Sequence, residues 1–110
     1  MKEEYSEYPL DFEGLHFVRI IARYEKGLAD FVVIYFAIER NGRMPLVTYD
    51  SSHGFFHKDL RYLPRGSIGR KMKLPDFSVK DLLAFAIEDV HRNWQKYYSE
   101  YRHEKEATKP

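Results

Sequence analysis

Between Tyr49 and Arg65 the chain gathers His53, His57, Asp50, Asp59, Arg61 and Arg65 around Gly54. Cleavage of RNA without a metal needs a base for the 2′-hydroxyl proton, an acid for the departing 5′-oxygen, and cations to hold the phosphate as its charge builds. His53 and His57 are the residue types for the acid and the base, because an imidazole titrates near neutrality. Asp50 would orient one of the rings. Arg61 and Arg65 supply guanidinium forks that match phosphate oxygens, and Tyr49 and Tyr62, with Phe55 and Phe56, offer faces on which unpaired bases can stack.

The same residues admit other readings. His53 and His57 with Asp50 or Asp59 form a set of two histidines and one carboxylate, but the metal-binding version of that spacing belongs on a helix, and Gly54 and its strand-like neighbours disfavour one there. Alternatively the stretch is a well hydrogen-bonded turn, with His53 capping it and His57 lying on the sheet. Ser51 and Ser52 beside His53 lack the strand-to-helix elbow of a serine nucleophile. No metal and no cofactor is assigned. Outside this stretch His16 reads as a satisfied edge histidine on an otherwise apolar strand, and His91 and His103 as solvent-facing helix residues.

The elements that must carry these residues follow from hydrophobic period. From Leu15 to Lys26 alternate positions Val18, Ile20, Ala22 and Tyr24 are apolar, the pattern of a half-buried strand. Phe31 to Ile38 is apolar on both sides, which predicts a central strand covered on both faces. Asn41-Gly42 then predicts a type I′ hairpin. Pairing across it sets Ile34, Phe36 and Ile38 on the face of Pro45, Val47 and Tyr49, and puts Asp50 on the face of Val33, Tyr35 and Ala37. Further short strands are expected before Leu63 and from Arg70 to Leu74. Ser78 with Asp81 looks like a capping box, and Leu83, Ile87, Val90, Trp94, Tyr97 and Tyr101 recur at helical spacing.

The prediction is one α+β domain over 1–110: an N-terminal arm at 1–14, an antiparallel β-meander of four or five strands at 15–74, and one long C-terminal helix at 78–104 packed across one face. A helix of that length is roughly 40 Å long, against roughly 24 Å for the width of a five-stranded sheet. If it crosses the sheet obliquely, its tyrosine-rich end, with Tyr97, Tyr98 and Tyr101, overhangs and needs another surface, either the N-terminal arm or the second subunit of a homodimer; otherwise these tyrosines pack along the strands of their own sheet.

The 110 residues, 44% of them hydrophobic, suffice for one core, and the absence of cysteine excludes disulfides and thiolate chemistry. No apolar run approaches the roughly 18 residues of a membrane span, and no signal peptide is evident, so the expectation is a cytoplasmic protein with no membrane partner. The net charge of +1 conceals a polarity. Residues 1–13 hold Glu3, Glu4, Glu7, Asp11 and Glu13 against Lys2, whereas residues 58–73 hold Lys58, Arg61, Arg65, Arg70, Lys71 and Lys73 against Asp59. Such a basic block can attract a polyanion such as single-stranded RNA.

The run Leu46-Val47-Thr48-Tyr49-Asp50-Ser51-Ser52-His53-Gly54, followed by His57 and then by Asp89-Val90 and Asn93-Trp94, resembles a group of uncharacterised prokaryotic proteins. These share a Y-D-x-x-H-G-x-x-H core and a helix ending D-[IV]-x-x-N-W. More distantly, Tyr49, Asp50, His53, Gly54 and His57 are similar to the core of TumE-type toxin subunits of toxin–antitoxin modules. That resemblance implies a small RNA-cleaving protein and an antitoxin-like protein partner. Phe55 and Phe56 stand where those toxins carry further histidine or acidic residues. Two functions of different class follow: a metal-independent, toxin-like endoribonuclease, or a non-catalytic module that binds nucleic acid or protein.

Overall fold

A computed structural model describes residues 1–51 and 56–107. Six strands come first: β1 (Lys2–Pro9), β2 (His16–Tyr24), β3 (Leu28–Glu39), β4 (Gly42–Asp50), β5 (His57–Leu60) and β6 (Lys71–Lys73). The helix α1 (Val79–Ala107) follows. The strands pair antiparallel with their sequence neighbours in the order β1-β2-β3-β4-β5-β6, so the α+β meander under one long helix is the architecture.

The N-terminal arm carries a strand of its own. Lys2 to Pro9 pair residue for residue with Tyr24 back to Phe17, which brings the sheet to six strands where four or five were expected. The outer strand shows no hydrophobic alternation because it lies at the edge, where charged side chains suit an open rim better than apolar ones.

Along β3 the odd residues Phe31, Val33, Tyr35 and Ala37 turn inward and are fully buried, with 0% exposure each. They meet Val18 from β2, Leu46, Val47 and Tyr49 from β4, and Leu82, Ala86, Val90, Tyr97 and Tyr101 from α1 in one core. Ser78 Oγ accepts from the Asp81 amide at 3.2 Å, so the expected cap starts the helix.

Two details of the β3–β4 hairpin depart from expectation. The turn residues are Arg40 and Asn41, with Glu39 opposite Gly42, and the positive φ falls on Gly42 (113°), so the loop is not a type I′ Asn-Gly turn. A β-bulge then shifts the register: Phe36 lies opposite Pro45 but Tyr35 opposite Val47, leaving Leu46 as the extra residue. Past the bulge the faces exchange. Val47 and Tyr49 join Tyr35 and Val33 beneath the helix, and Asp50 goes to the opposite face beside Val32.

Among the described residues no helix covers that opposite face, although β3 is apolar on both sides. Its own strands shield it instead. Phe36, only 3% exposed, stacks on Phe17 at 5.7 Å and lies beneath the guanidinium groups of Arg19 and Arg43 at 5.3 and 4.8 Å. Glu7 ties both arginines down at 3.2 and 2.9 Å.

Nor does the helix overhang. With 12 residues β3 is itself about 40 Å long, and α1 lies obliquely over it, from the Trp94 ring near Tyr35 to Tyr98 near Glu39. Tyr97 and Tyr101 are 5% and 8% exposed within one chain, so they are not surfaces waiting for a second subunit. Among the described residues no helix is long and apolar enough to cross a membrane.

Candidate functional site

β5 and the loop after it carry most of the residues singled out by type. On β5, His57 and Asp59 point to the uncovered face: His57 pairs with Asp50 on one side and Lys73 on the other, and Asp59 with Thr48 and Lys71. Asp50 and His57 are thus brought together as direct cross-strand neighbours. His53 and Gly54 lie outside the described residues, as do Ser52 and Phe55, and with them the separation of the two histidines.

Beyond Leu60 the chain folds over itself, with the Leu60 amide bonded to the Arg70 carbonyl at 2.6 Å. The loop closes a recess of about 480 Å³ lined by Arg61, Arg65, Arg70 and Lys71 with Asp59 and Ser67. Arg70 is committed: it pairs with Asp59 at 3.1 Å and donates to the Leu63 carbonyl at 2.7 Å, which holds the loop shut. Among the described residues no ion pair involves Arg61, Arg65 or Lys71. The recess therefore carries a surplus of positive charge, and its guanidinium and ammonium groups are of the kind that hold phosphate.

The tyrosines expected to stack bases are elsewhere. Tyr49 is 0% exposed on the helix side of the sheet, so it has no face to offer. Tyr62 is half-buried, with its hydroxyl on Glu100 at 2.5 Å and its ring against Tyr101. Burial, followed by the Glu100 bond, pushes the Tyr62 phenol up.

Lys58 also leaves the basic surface to which its charge assigned it. As an even residue of β5 it faces the helix, is 8% exposed, and lies 3.1 Å from Asp89 Oδ2. Around Asp89 the donors converge. Tyr49 donates its hydroxyl to Oδ2, Tyr97 donates to the same oxygen at 2.7 Å, Asn93 donates to Oδ1 at 2.8 Å, and Lys58 donates to the Tyr97 oxygen. The Lys58 ammonium also sits 4.6 Å from the centre of the Tyr97 ring. Burial alone would raise the Asp89 carboxyl, but the bonds from Tyr49, Tyr97 and Lys58 outweigh it and hold the group below its ordinary value. For Tyr49 and Tyr97 burial and the Asp89 bond act together and push both phenols up.

This network was the part that residue types alone concealed. Asp89 lies on the buried helix stripe between Ala86 and Asn93, and Lys58 alternates with Leu60 on the inward face of β5. A charge of each sign on opposed apolar faces must find its opposite, because an unpaired buried charge is too costly to keep. Tyr49, Asp89 and Asn93 thus meet as a scaffold under the sheet rather than in an open cleft.

His16 is satisfied, as its apolar strand suggested, though on the second strand and not at an edge. Its Nδ1 pairs with the Tyr35 hydroxyl at 2.8 Å, and its ring packs 4.4 Å from Trp94 and 4.6 Å from Tyr98. Burial holds this imidazole below its usual value, the carboxylates of Asp11, Glu39 and Glu13 opposing the shift. His91 is exposed and bonded to the Tyr8 hydroxyl at 2.7 Å. Among the described residues no group of three or more histidine or acidic side chains is placed to hold a metal ion.

Residues 1–107 match the model of one family, described as a domain of unknown function (DUF7718). No curated protein and no solved structure matches the chain.

Proposed function

This chain belongs to the DUF7718 family across nearly its whole length, and from that premise we propose that it is a non-catalytic module that holds the phosphate backbone of single-stranded RNA. The observation that supports this is the recess in which Arg61, Arg65 and Lys71 gather while Arg70 and Asp59 neutralise each other. Because Tyr49 and Tyr62 are turned to the helix, contact at this recess is to phosphate and not to bases. Binding of that kind positions a strand without reading its sequence.

Three phosphate contacts to a single strand give an affinity that falls with salt at a logarithmic slope of roughly −2. Fluorescence anisotropy of a labelled RNA oligonucleotide across a salt series measures it. Arg61→Ala with Arg65→Ala is expected to reduce the slope by roughly 1.4 and to weaken binding about equally for unrelated sequences. Affinity indifferent to salt, or unchanged in the double variant, would refute the reading.

A second reading, the metal-independent and toxin-like endoribonuclease, is favoured by one feature: Asp50 and His57 are cross-strand partners on the face that carries Asp59 and Lys71 at the recess. His57 and Asp59 are one pleat repeat apart, about 7 Å. A phosphodiester held by Arg61 and Arg65 would lie within reach of that imidazole, with His53 as its acid–base partner. Incubation of single-stranded RNA with the protein and a chelator tests it. The ribonuclease reading expects cleavage that falls by roughly 100-fold or more in His57→Ala, whereas the binding module leaves the RNA intact.

A further inference from the structure

Charge on the uncovered face of the sheet is arranged in a row. Glu7 stands opposite Arg19, Arg19 opposite Ile34, Ile34 opposite Thr48, Thr48 opposite Asp59 and Asp59 opposite Lys71, so these residues cross all six strands side by side. From β1 to β6 the row runs acid, base, isoleucine, threonine, acid, base. From β6 to β1 it runs base, acid, threonine, isoleucine, base, acid. Laid over its own reverse, each charge meets its opposite, and the two uncharged positions in the middle meet each other.

That reversal is a symmetry operation. A two-fold axis parallel to the strands, between β3 and β4, turns a second copy over and places its β6 above β1 and its β4 above β3. An axis along the row itself would instead set Glu7 on Glu7 and Lys71 on Lys71. Charge therefore selects one of the two ways in which this face can meet a copy of itself. The selection does not need unpaired groups. Glu7 holds Arg19 and Arg43, and Asp59 holds Arg70, within one chain. The second copy lays its Lys71 and Asp59 over the Glu7–Arg19 pair with the signs reversed, which extends two pairs into one network. Lys71 is exposed and joins no ion pair among the described residues.

We propose that this face is the interface of a symmetric homodimer, two sheets packed face to face about a two-fold axis parallel to the strands, with the helices outside. Ile34 and Thr48 lie at its centre, flanked by the neighbouring row of Tyr5, Ile21 and Val32, of which Tyr5 is 58% exposed. Six strands make the face about 24 Å wide, and nine-residue strands such as β2 and β4 make it about 30 Å long. That is roughly 700 Å² on each copy, close to the ~800 Å² per partner of a stable interface. Packed sheets lie about 10 Å apart, a gap that a lysine and a glutamate side chain reaching from opposite sides can bridge. The apolar centre supplies affinity and the charged row supplies register. Tyr97 and Tyr101 take no part, and the dimer does not depend on RNA binding.

Sedimentation equilibrium of the full chain without RNA tests the proposal. A dimer with a dissociation constant on the order of 10 μM or tighter is expected. Ile34→Lys places a charge beside the axis and is expected to weaken association by about 100-fold or more. Lys71→Glu changes an exposed side chain that the fold does not need. It sets Glu on Glu at two symmetric places, and a loss of about tenfold is expected. Phe85→Lys, on the outer side of the helix where Phe85 is 43% exposed, is expected to leave the dimer intact. Circular dichroism of each variant confirms that it is folded. A monomer up to about 100 μM, or a dimer that Ile34→Lys leaves intact or Phe85→Lys breaks, would overturn the interface. A dimer that Ile34→Lys breaks and Lys71→Glu does not weaken would overturn the axis.

Discussion

Asp89→Ala is expected to destabilise the protein by about 3–5 kcal/mol, because it leaves Lys58 as a buried charge without its carboxylate. For a chain of this size that corresponds to a fall in melting temperature of roughly 15 °C or more. Three further groups lose their acceptor in the same step: the hydroxyls of Tyr49 and Tyr97 and the Asn93 amide. Lys58→Met should be milder, since Asp89 keeps those three donors. Adding Tyr49→Phe to Asp89→Ala should then cost almost nothing, or restore some stability, since it removes a stranded hydroxyl. Urea unfolding at unchanged m-value measures all three variants. If Asp89→Ala costs less than about 1 kcal/mol, or less than Lys58→Met, the carboxylate is not the hub of the network. The depressed Asp89 pKa has a pH consequence of definite sign. Its contribution is present above the ordinary carboxylate value near pH 4 and is lost as pH falls through the lower folded value.

At the alkaline end the effect is larger. Tyr35, Tyr49, Tyr97 and Tyr101 are each no more than 8% exposed, and burial pushes every one of their phenols up. A group whose folded pKa is raised stabilises fully below its unfolded value, here near pH 10, and the contribution disappears as pH climbs towards the folded value. Each such tyrosine withdraws about 1.4 kcal/mol per pH unit above 10, so four of them withdraw about 6 kcal/mol by pH 11. That matches the whole stability of many small domains. Cooperative unfolding is therefore expected between about pH 11 and 12, with tyrosinate absorbance from these residues rising at the same midpoint as the loss of near-ultraviolet circular dichroism. Tyrosinate appearing in full well before the dichroism falls would show that these phenols are open to solvent.

Much of the fold was legible because period and punctuation agree. Val18, Ile20 and Ala22 alternate, Ser78 caps, and Leu82, Ala86, Val90, Tyr97 and Tyr101 return at helical spacing, so the strands and the helix follow from the residues themselves. β1 did not, since Lys2, Glu3, Glu4 and Glu7 give an edge strand no apolar signature. The helix end was misjudged through the choice of the wrong sheet dimension: α1 follows the length of β3 more than the width of the meander. At the candidate site, Arg61 and Arg65 do converge and Asp50 does meet His57. Hairpin pairing alone sets Tyr49 on the face of Ile34 and Phe36, because no residue type announces a bulge. The extra residue is an ordinary leucine, and only the register shows it.

That leucine sets how the family can tolerate insertions and deletions. Between Leu46 and Asp50 the loss or gain of one residue would exchange the two faces, drawing Asp50 beneath the helix and expelling Tyr49 from Asp89. Substitutions of similar shape can be absorbed there, but a change of length cannot. The stretch from Leu63 to Gly69 is a surface loop with no such parity to keep, so length variation should accumulate there, altering the reach of Arg65 while the scaffold beneath stays in phase.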